Sequence, residues 1–220
     1  GNHFVEFGEI SLRENNILHL PEGNYLALLS HSGSRGMGAA IAQHYSQIAR
    51  DVCRLPREAQ HFAWLNLDTE VGQEYWVSMN LAGDFAKANH ERIHINLSKA
   101  LGLKVMANVN NHHNFAWREE ITPGKYAIVH RKGATPAGKG VPGFIPGSMA
   151  SAGYLVGGRG VGESLNSASH GAGRAMSRQK AKEQFTNSSI KKMLTDRGVT
   201  LIGGSVEEMP LAYKDIDRVM

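Results

Sequence analysis

Four short motifs set histidine beside small or amide residues: Asn2-His3-Phe4, His31-Ser-Gly-Ser-Arg35, His112-His113-Asn114 and Ser169-His170-Gly-Ala-Gly-Arg174. Neutral imidazole is the commonest protein ligand for metals. Three or more such rings suit a borderline divalent ion such as manganese, iron or zinc. Any one of these histidines could be an ordinary hydrogen-bonded loop residue. Four motifs together, with the loop arginines Arg35, Arg131, Arg174 and Arg178, point instead to metal-assisted chemistry on phosphate. A planar guanidinium grips phosphate through paired hydrogen bonds. His170 stands apart from the rest. Gly171 and Gly173 beside it would let a phosphate approach the backbone N–H groups that open a following helix.

Three other signals are weaker. His90-Glu91-Arg-Ile-His94 fits the H-E-x-x-H pattern of zinc peptidases, but no further histidine follows at the metzincin spacing. The segment reads as the solvated face of a helix whose apolar stripe lies elsewhere, and on that reading His90, Glu91 and His94 take no part in the site. Gly133 to Lys139 nearly makes a phosphate-binding loop. Gly140 stands where Ser or Thr should hold magnesium, and Pro142 follows where a helix should begin. Cys53 reads as a packed or idle thiol.

The elements that must carry these motifs alternate between strands and glycine-rich loops. Residues 3–10 and 25–30 read as strands, the second running into the His31 loop. Helical spacing follows over 37–53 and again over about 71–101, where Tyr75, Met79, Ala82, Ala86, Ile93 and Leu97 share one face. Beyond Lys104 the sequence predicts short strands at 105–109, 126–130, 151–156 and 199–203. The SASHGAGR loop is expected to open a helical run towards Gln184, and a last helix to begin near Tyr213. A rigid strand presenting a loop side chain is a common way to build a site.

Composition narrows the class. The chain has 220 residues, 41% hydrophobic and 20% charged, enough for one large core or two small ones. Its 25 glycines against 7 prolines belong to specific turns more than to a linker. A net charge of +4 and a pI near 9.2 lean mildly towards anionic partners. A single cysteine excludes an internal disulfide framework and fits a reducing cytoplasm. No apolar stretch reaches the roughly 18 residues of a membrane span, and no signal peptide opens the chain. The first residue is Gly1, and Met220 falls inside a helix-like pattern, so both ends read as cut.

In their order, GNHFVE, HSGSRGMG, NHHNF, RKGA, PGSM, SHGAGRAMSR and MPLAYKDID resemble the RtcB-type RNA ligases across nearly the whole chain. The resemblance implies an enzyme that joins RNA ends bearing a 3′-phosphate or 2′,3′-cyclic phosphate to 5′-hydroxyl ends, in tRNA splicing and RNA repair. Such an enzyme uses GTP, two manganese ions and a histidine–GMP intermediate. It implies that His170 is the nucleophile and that His3, His31 and His113 are metal ligands. Asn2, Asn114, Ser148, Ala172 and Gly173 match phosphate- or nucleotide-contacting positions, Glu6 the carboxylate that reads the guanine edge, and Tyr213 a ring packed on the base. Arg35, Arg174 and Arg178 match basic positions along the RNA path.

The implied fold is α+β, with central mixed or antiparallel sheets flanked by helices, residues 1–220 forming the C-terminal part of a single catalytic domain. RNA and GTP are the implied partners, and the resemblance leaves room for an accessory activating protein. The family's Asp-x-x-Cys-Gly motif, which supplies two further metal ligands, lies upstream of GNHF, and its C-terminal lysine lies beyond Met220. The expectation is that this stretch alone neither forms the GMP adduct nor seals RNA. The rival is a non-catalytic nucleotide- or RNA-binding fragment.

Overall fold

The computed structural model of the protein describes residues 3–220. They fold as two units, residues 3–14 with 20–106, and residues 15–19 with 107–220. The class is α+β: helices accompany small antiparallel ladders, each of two strands.

In the first unit, β1 (Phe4–Leu12) and β2 (Gly23–His31) form an antiparallel hairpin whose register runs from Phe4 opposite His31 to Leu12 opposite Gly23. Two helices follow, α1 (Arg35–Val52) and α2 (Glu70–Ala100). The start of α2 is set by Thr69, whose hydroxyl accepts from the Gly72 N–H at 3.2 Å and satisfies one orphan donor of the first turn. The buried positions of α2 are small: Gly72, Ala82, Gly83, Ala86 and Ser98. Small residues let a neighbouring backbone come close, and Tyr45 of α1 meets Tyr75 of α2 with ring centroids 5.2 Å apart.

The second unit is built from ladders. β3 (Asn114–Thr122) and β4 (Lys125–Lys132) pair antiparallel, joined by Pro123-Gly124, with Gly124 at a φ of 75° that only glycine adopts without strain. β5 (Ala134–Pro136) pairs with the distant β8 (Ser167–Ser169), and β6 (Pro142–Ile145) with β7 (Tyr154–Gly157). Two short helices close the unit, α3 (Arg178–Gln184) and α4 (Asn187–Thr195). Its apolar centres are Ile145, Ala172 and Ile216, and separately Ile190, Leu194 and Met209.

Some expected elements are absent. Residues 105–109 and 199–203 join no ladder, although both are apolar enough for strands. A strand needs a partner for its backbone as well as an apolar face, and Val105, Met106 and Ile202 stay exposed. The helix expected from Tyr213 is only a 3-10 turn at Ile216–Arg218. The run after SASHGAGR does not become helical until Arg178, because the Ala175 and Met176 N–H groups donate to the Ala212 carbonyl and Ser177 caps the helix. His170 therefore does not sit at a helix N-terminus. No helix among the described residues is long and apolar enough to cross a membrane.

Arg131 is buried at 3% exposure on β4, not displayed on a loop as expected. Its guanidinium makes a two-pronged pair with the Glu119 carboxylate at 2.7 and 2.8 Å and lies over the Trp117 ring, 4.8 Å from its centroid. It also donates to Ser167 Oγ at 2.9 Å and to the Leu165 carbonyl at 2.8 Å. Removing one partner of such a pair leaves the other charge and carbonyl uncompensated, so Arg131→Met should cost about 3 kcal/mol in denaturant unfolding. Arg131→Lys should recover little of it, since an ammonium cannot make the fork. A lysine variant as stable as wild type would show that the fork does not matter.

Candidate functional site

His31 ends β2, and its ring lies against Phe4 with centroids 5.4 Å apart, as the cross-strand register requires. His3 stands one residue before the ladder begins, where strand alternation no longer dictates which way a side chain turns. Glu6 lies on the hairpin face that carries Phe4, Ile10 and Leu12. It keeps some exposure to water, yet partial burial of its carboxyl raises its pKa above the usual carboxylate value. Arg35 is exposed at the start of α1 with a φ of 56°, a left-handed conformation uncommon for a residue with a side chain.

The polypeptide around His31 is tied to α2. The Ser32 N–H donates to His90 Nε2 at 3.0 Å, Ser30 Oγ and His94 Nε2 are 2.9 Å apart, and Asn89 Nδ2 donates to Ser32 Oγ at 2.9 Å. His90 and His94 are half-buried, so the solvated-face reading is corrected. Burial first, then the neighbouring His90, lowers the His94 pKa. The Nε2 lone pair that a zinc peptidase would need on His90 is already taken by a backbone amide, and the peptidase reading loses its ligand. The apolar stripe alone could not have revealed this, because the partners of these rings are the Ser30 hydroxyl and the Ser32 N–H, some 60 residues away in sequence.

In the second unit His113 and His170 meet directly. Their rings stack with centroids 4.9 Å apart and an interplanar angle of 23°. Gly133, between β4 and β5, serves both. Its N–H donates to the His113 carbonyl at 3.0 Å, and it faces the His170 ring from a φ of 71°. A Cβ there would stand 3.5 Å from His170 Cε1 and 3.6 Å from Nδ1. After His170 the loop is held by the Ala172 N–H donating to the Pro146 carbonyl and by the Lys214 N–H donating to the Gly173 carbonyl. Ala172 is buried against Ile145 and Ile216. Asn114 is exposed at the start of β3. The Ser148 hydroxyl lies 2.8 Å from that of Ser151 and accepts from the Ala150 N–H. Asn2 lies outside the described residues.

Arg174, Arg178 and Tyr213 come together, around two carboxylates that the sequence reading missed. Arg174 lies over the Tyr213 ring at 5.1 Å, donates to the Met176 and Glu207 carbonyls, and stands 3.6 Å from the Glu208 carboxylate. Arg178, more exposed, pairs with Glu207 at 3.4 Å and Glu208 at 3.7 Å, while Lys182 meets Glu207 at 2.6 Å. The hydrogen bond to Lys182 lowers the Glu207 pKa. The adjacent Glu-Glu pair ahead of Met209-Pro210 was the available signal.

The donor chemistry fits a borderline divalent ion, since His3, His31 and His113 offer imidazole nitrogens. Among the described residues no three His, Cys, Asp or Glu side chains gather closely enough to hold one. All 220 residues match the model of the family described as tRNA-splicing ligase RtcB. The chain belongs to the RtcB family. It is 33% identical to the RNA-splicing ligase RtcB1 of Escherichia coli, over its whole length and 54% of that protein. It is likewise 33% identical to the tRNA-splicing ligase RtcB of Nanoarchaeum equitans, again over the whole chain and 54% of that protein. It is 31% identical to that of Pyrococcus abyssi, covering 28% of the longer chain. The chain thus spans about half the length, or less, of these curated RtcB relatives.

Burial of the Tyr213 ring, and then its hydrogen bond to Glu208, push its pKa up to about 12, with Arg174 pulling the other way. A folded-state pKa above the unfolded one gives stability that is full below pH 10 and lost as pH rises towards about 12. In denaturant titrations across that window, wild type should lose stability more steeply than Tyr213→Phe. Parallel curves would show that the phenol ionises as it does in the unfolded chain.

Proposed function

We propose that this chain carries the nucleophile of an RNA ligase that joins a 3′-phosphate or 2′,3′-cyclic phosphate end to a 5′-hydroxyl end through a His170–GMP intermediate. The observation that supports it most is the placement of His170: a half-buried imidazole at a strand end, stacked on His113 and backed by a glycine. With Nδ1 and Cε1 facing the Gly133 backbone, Nε2 is the nitrogen turned away from it and the one to attack. In the first step a bond forms between that nitrogen and the α-phosphorus of GTP, and pyrophosphate leaves. A 2′,3′-cyclic phosphate is first opened by water to the 3′-phosphate; the 3′-phosphate then takes the GMP from His170, and the 5′-hydroxyl attacks the activated phosphate and releases GMP. Splitting one hard displacement into easier ones is what a covalent nucleophile contributes.

His3, His31 and His113 are the imidazoles that would hold manganese, which supplies charge neutralisation for the triphosphate. His113 also braces the face of the His170 ring. Glu6 is the carboxylate proposed for the guanine edge, exposed on the hairpin and with a pKa raised by partial desolvation. Ser148, Asn114, Ala172 and Gly173 are the polar and backbone contacts proposed for phosphate and nucleotide. Tyr213 presents a ring to the base, held by Arg174 on one face. Arg35 and Arg178 are the exposed guanidiniums proposed for the RNA path; Arg174, already bonded within the protein, supports Tyr213. The relatives are named as ligases, which does not favour a non-catalytic fragment.

A complete RtcB protein carrying this stretch together with the family's upstream Asp-x-x-Cys-Gly motif, incubated with α-labelled GTP and manganese, should acquire label that acid removes and base does not, as a phosphoramidate would. His170→Ala should abolish that labelling. Persistence of the label in the variant would place the nucleophile elsewhere.

A further inference from the structure

The β1–β2 ladder ends at the pair Phe4 and His31, and among the described residues no strand pairs with those that follow His31. Side chains of α2 take over. His94 meets Ser30 Oγ on one side of His31, and on the other side His90 accepts from the Ser32 N–H. Asn89 donates to Ser32 Oγ at 2.9 Å and to the Gly33 carbonyl at 3.5 Å. Both sequence neighbours of His31 are thereby held by one turn of helix. A backbone amide can only donate, so His90 Nε2 is an unprotonated acceptor and its ring proton sits on Nδ1.

We propose that Asn89, His90 and His94 are positioning residues that hold the His31 imidazole in the orientation a divalent cation requires. The proposal rests on reading His31 as a metal ligand. The three act through Ser30, Ser32 and Gly33 on either side of His31, not by ligation. Supports of this kind matter because a ligand left to swing must be ordered when the metal binds, and their loss typically weakens binding by about 10–100-fold. The role of His90 demands an acceptor at the end of a side chain of that reach. Glutamine offers one, and leucine does not.

The test is manganese alone, titrated into the protein, with the free ion counted by its electron paramagnetic resonance signal and the unfolding midpoint recorded beside it. His31→Ala and His90→Leu should each weaken binding by about tenfold or more, and His90→Gln should stay within about twofold of wild type. Asn89→Ala should weaken binding too, and it decides the matter together with His90→Gln if His90→Leu does not fold. A structural role alone would shift the unfolding midpoint of His90→Leu and Asn89→Ala while their manganese affinity stayed at the wild-type value. That result, with His31→Ala impaired, overturns the positioning role and leaves the metal reading standing. Wild-type affinity in His31→Ala overturns both.

Discussion

A guanidinium taken out of water must find acceptors for its N–H groups, and the second unit is arranged around one that does. Arg131 reaches Glu119 on β3, Trp117 beside it, and the Leu165–Ser167 turn that leads into β8. Those contacts fix where β8 begins, and His170 is the next residue after β8 ends. The position of His170 thus depends on a charge buried one strand away. Leaving that charge partly paired would cost more than never burying it, so the geometry near His170 tolerates little slack.

Much of the first unit was legible in the sequence. Alternation marked β1, a short apolar run marked β2, and helical periodicity marked α1 and α2 to within a few residues, because such patterns come from burial of a local element. The second unit was less legible. Its strands are short and pair with distant segments, so apolar runs such as 105–109 and 199–203 looked like strands but found no partner. The β3 strand was overlooked although Pro123-Gly124 marks its turn. The burial of Arg131 was available in principle: it shares the inward phase of β4 with Val129.

The candidate site divides in the same way. Its histidine motifs were readable because residue type alone suggests their chemistry, and two of them, His113 and His170, stack in the fold. What surrounds them was not readable. Glu207 and Glu208 engage Arg174, Arg178 and Lys182, and His90 and His94 turn into β2. Each is a polar contact between segments far apart in sequence, and periodicity carries no information about such contacts.

The pairing of β5 with β8 has a consequence in time. Ala134 meets Ser169 only after the whole intervening stretch, with its own β6–β7 ladder, has been drawn into a closed loop. Closing a loop costs entropy before any contact within it repays that cost, so such pairings form slowly. The helices of the first unit need no such closure to form their own hydrogen bonds. His31 waits on a closure of its own, because the residues on either side of it meet α2 only across some 60 residues, so during folding both His31 and His170 would reach their final surroundings late.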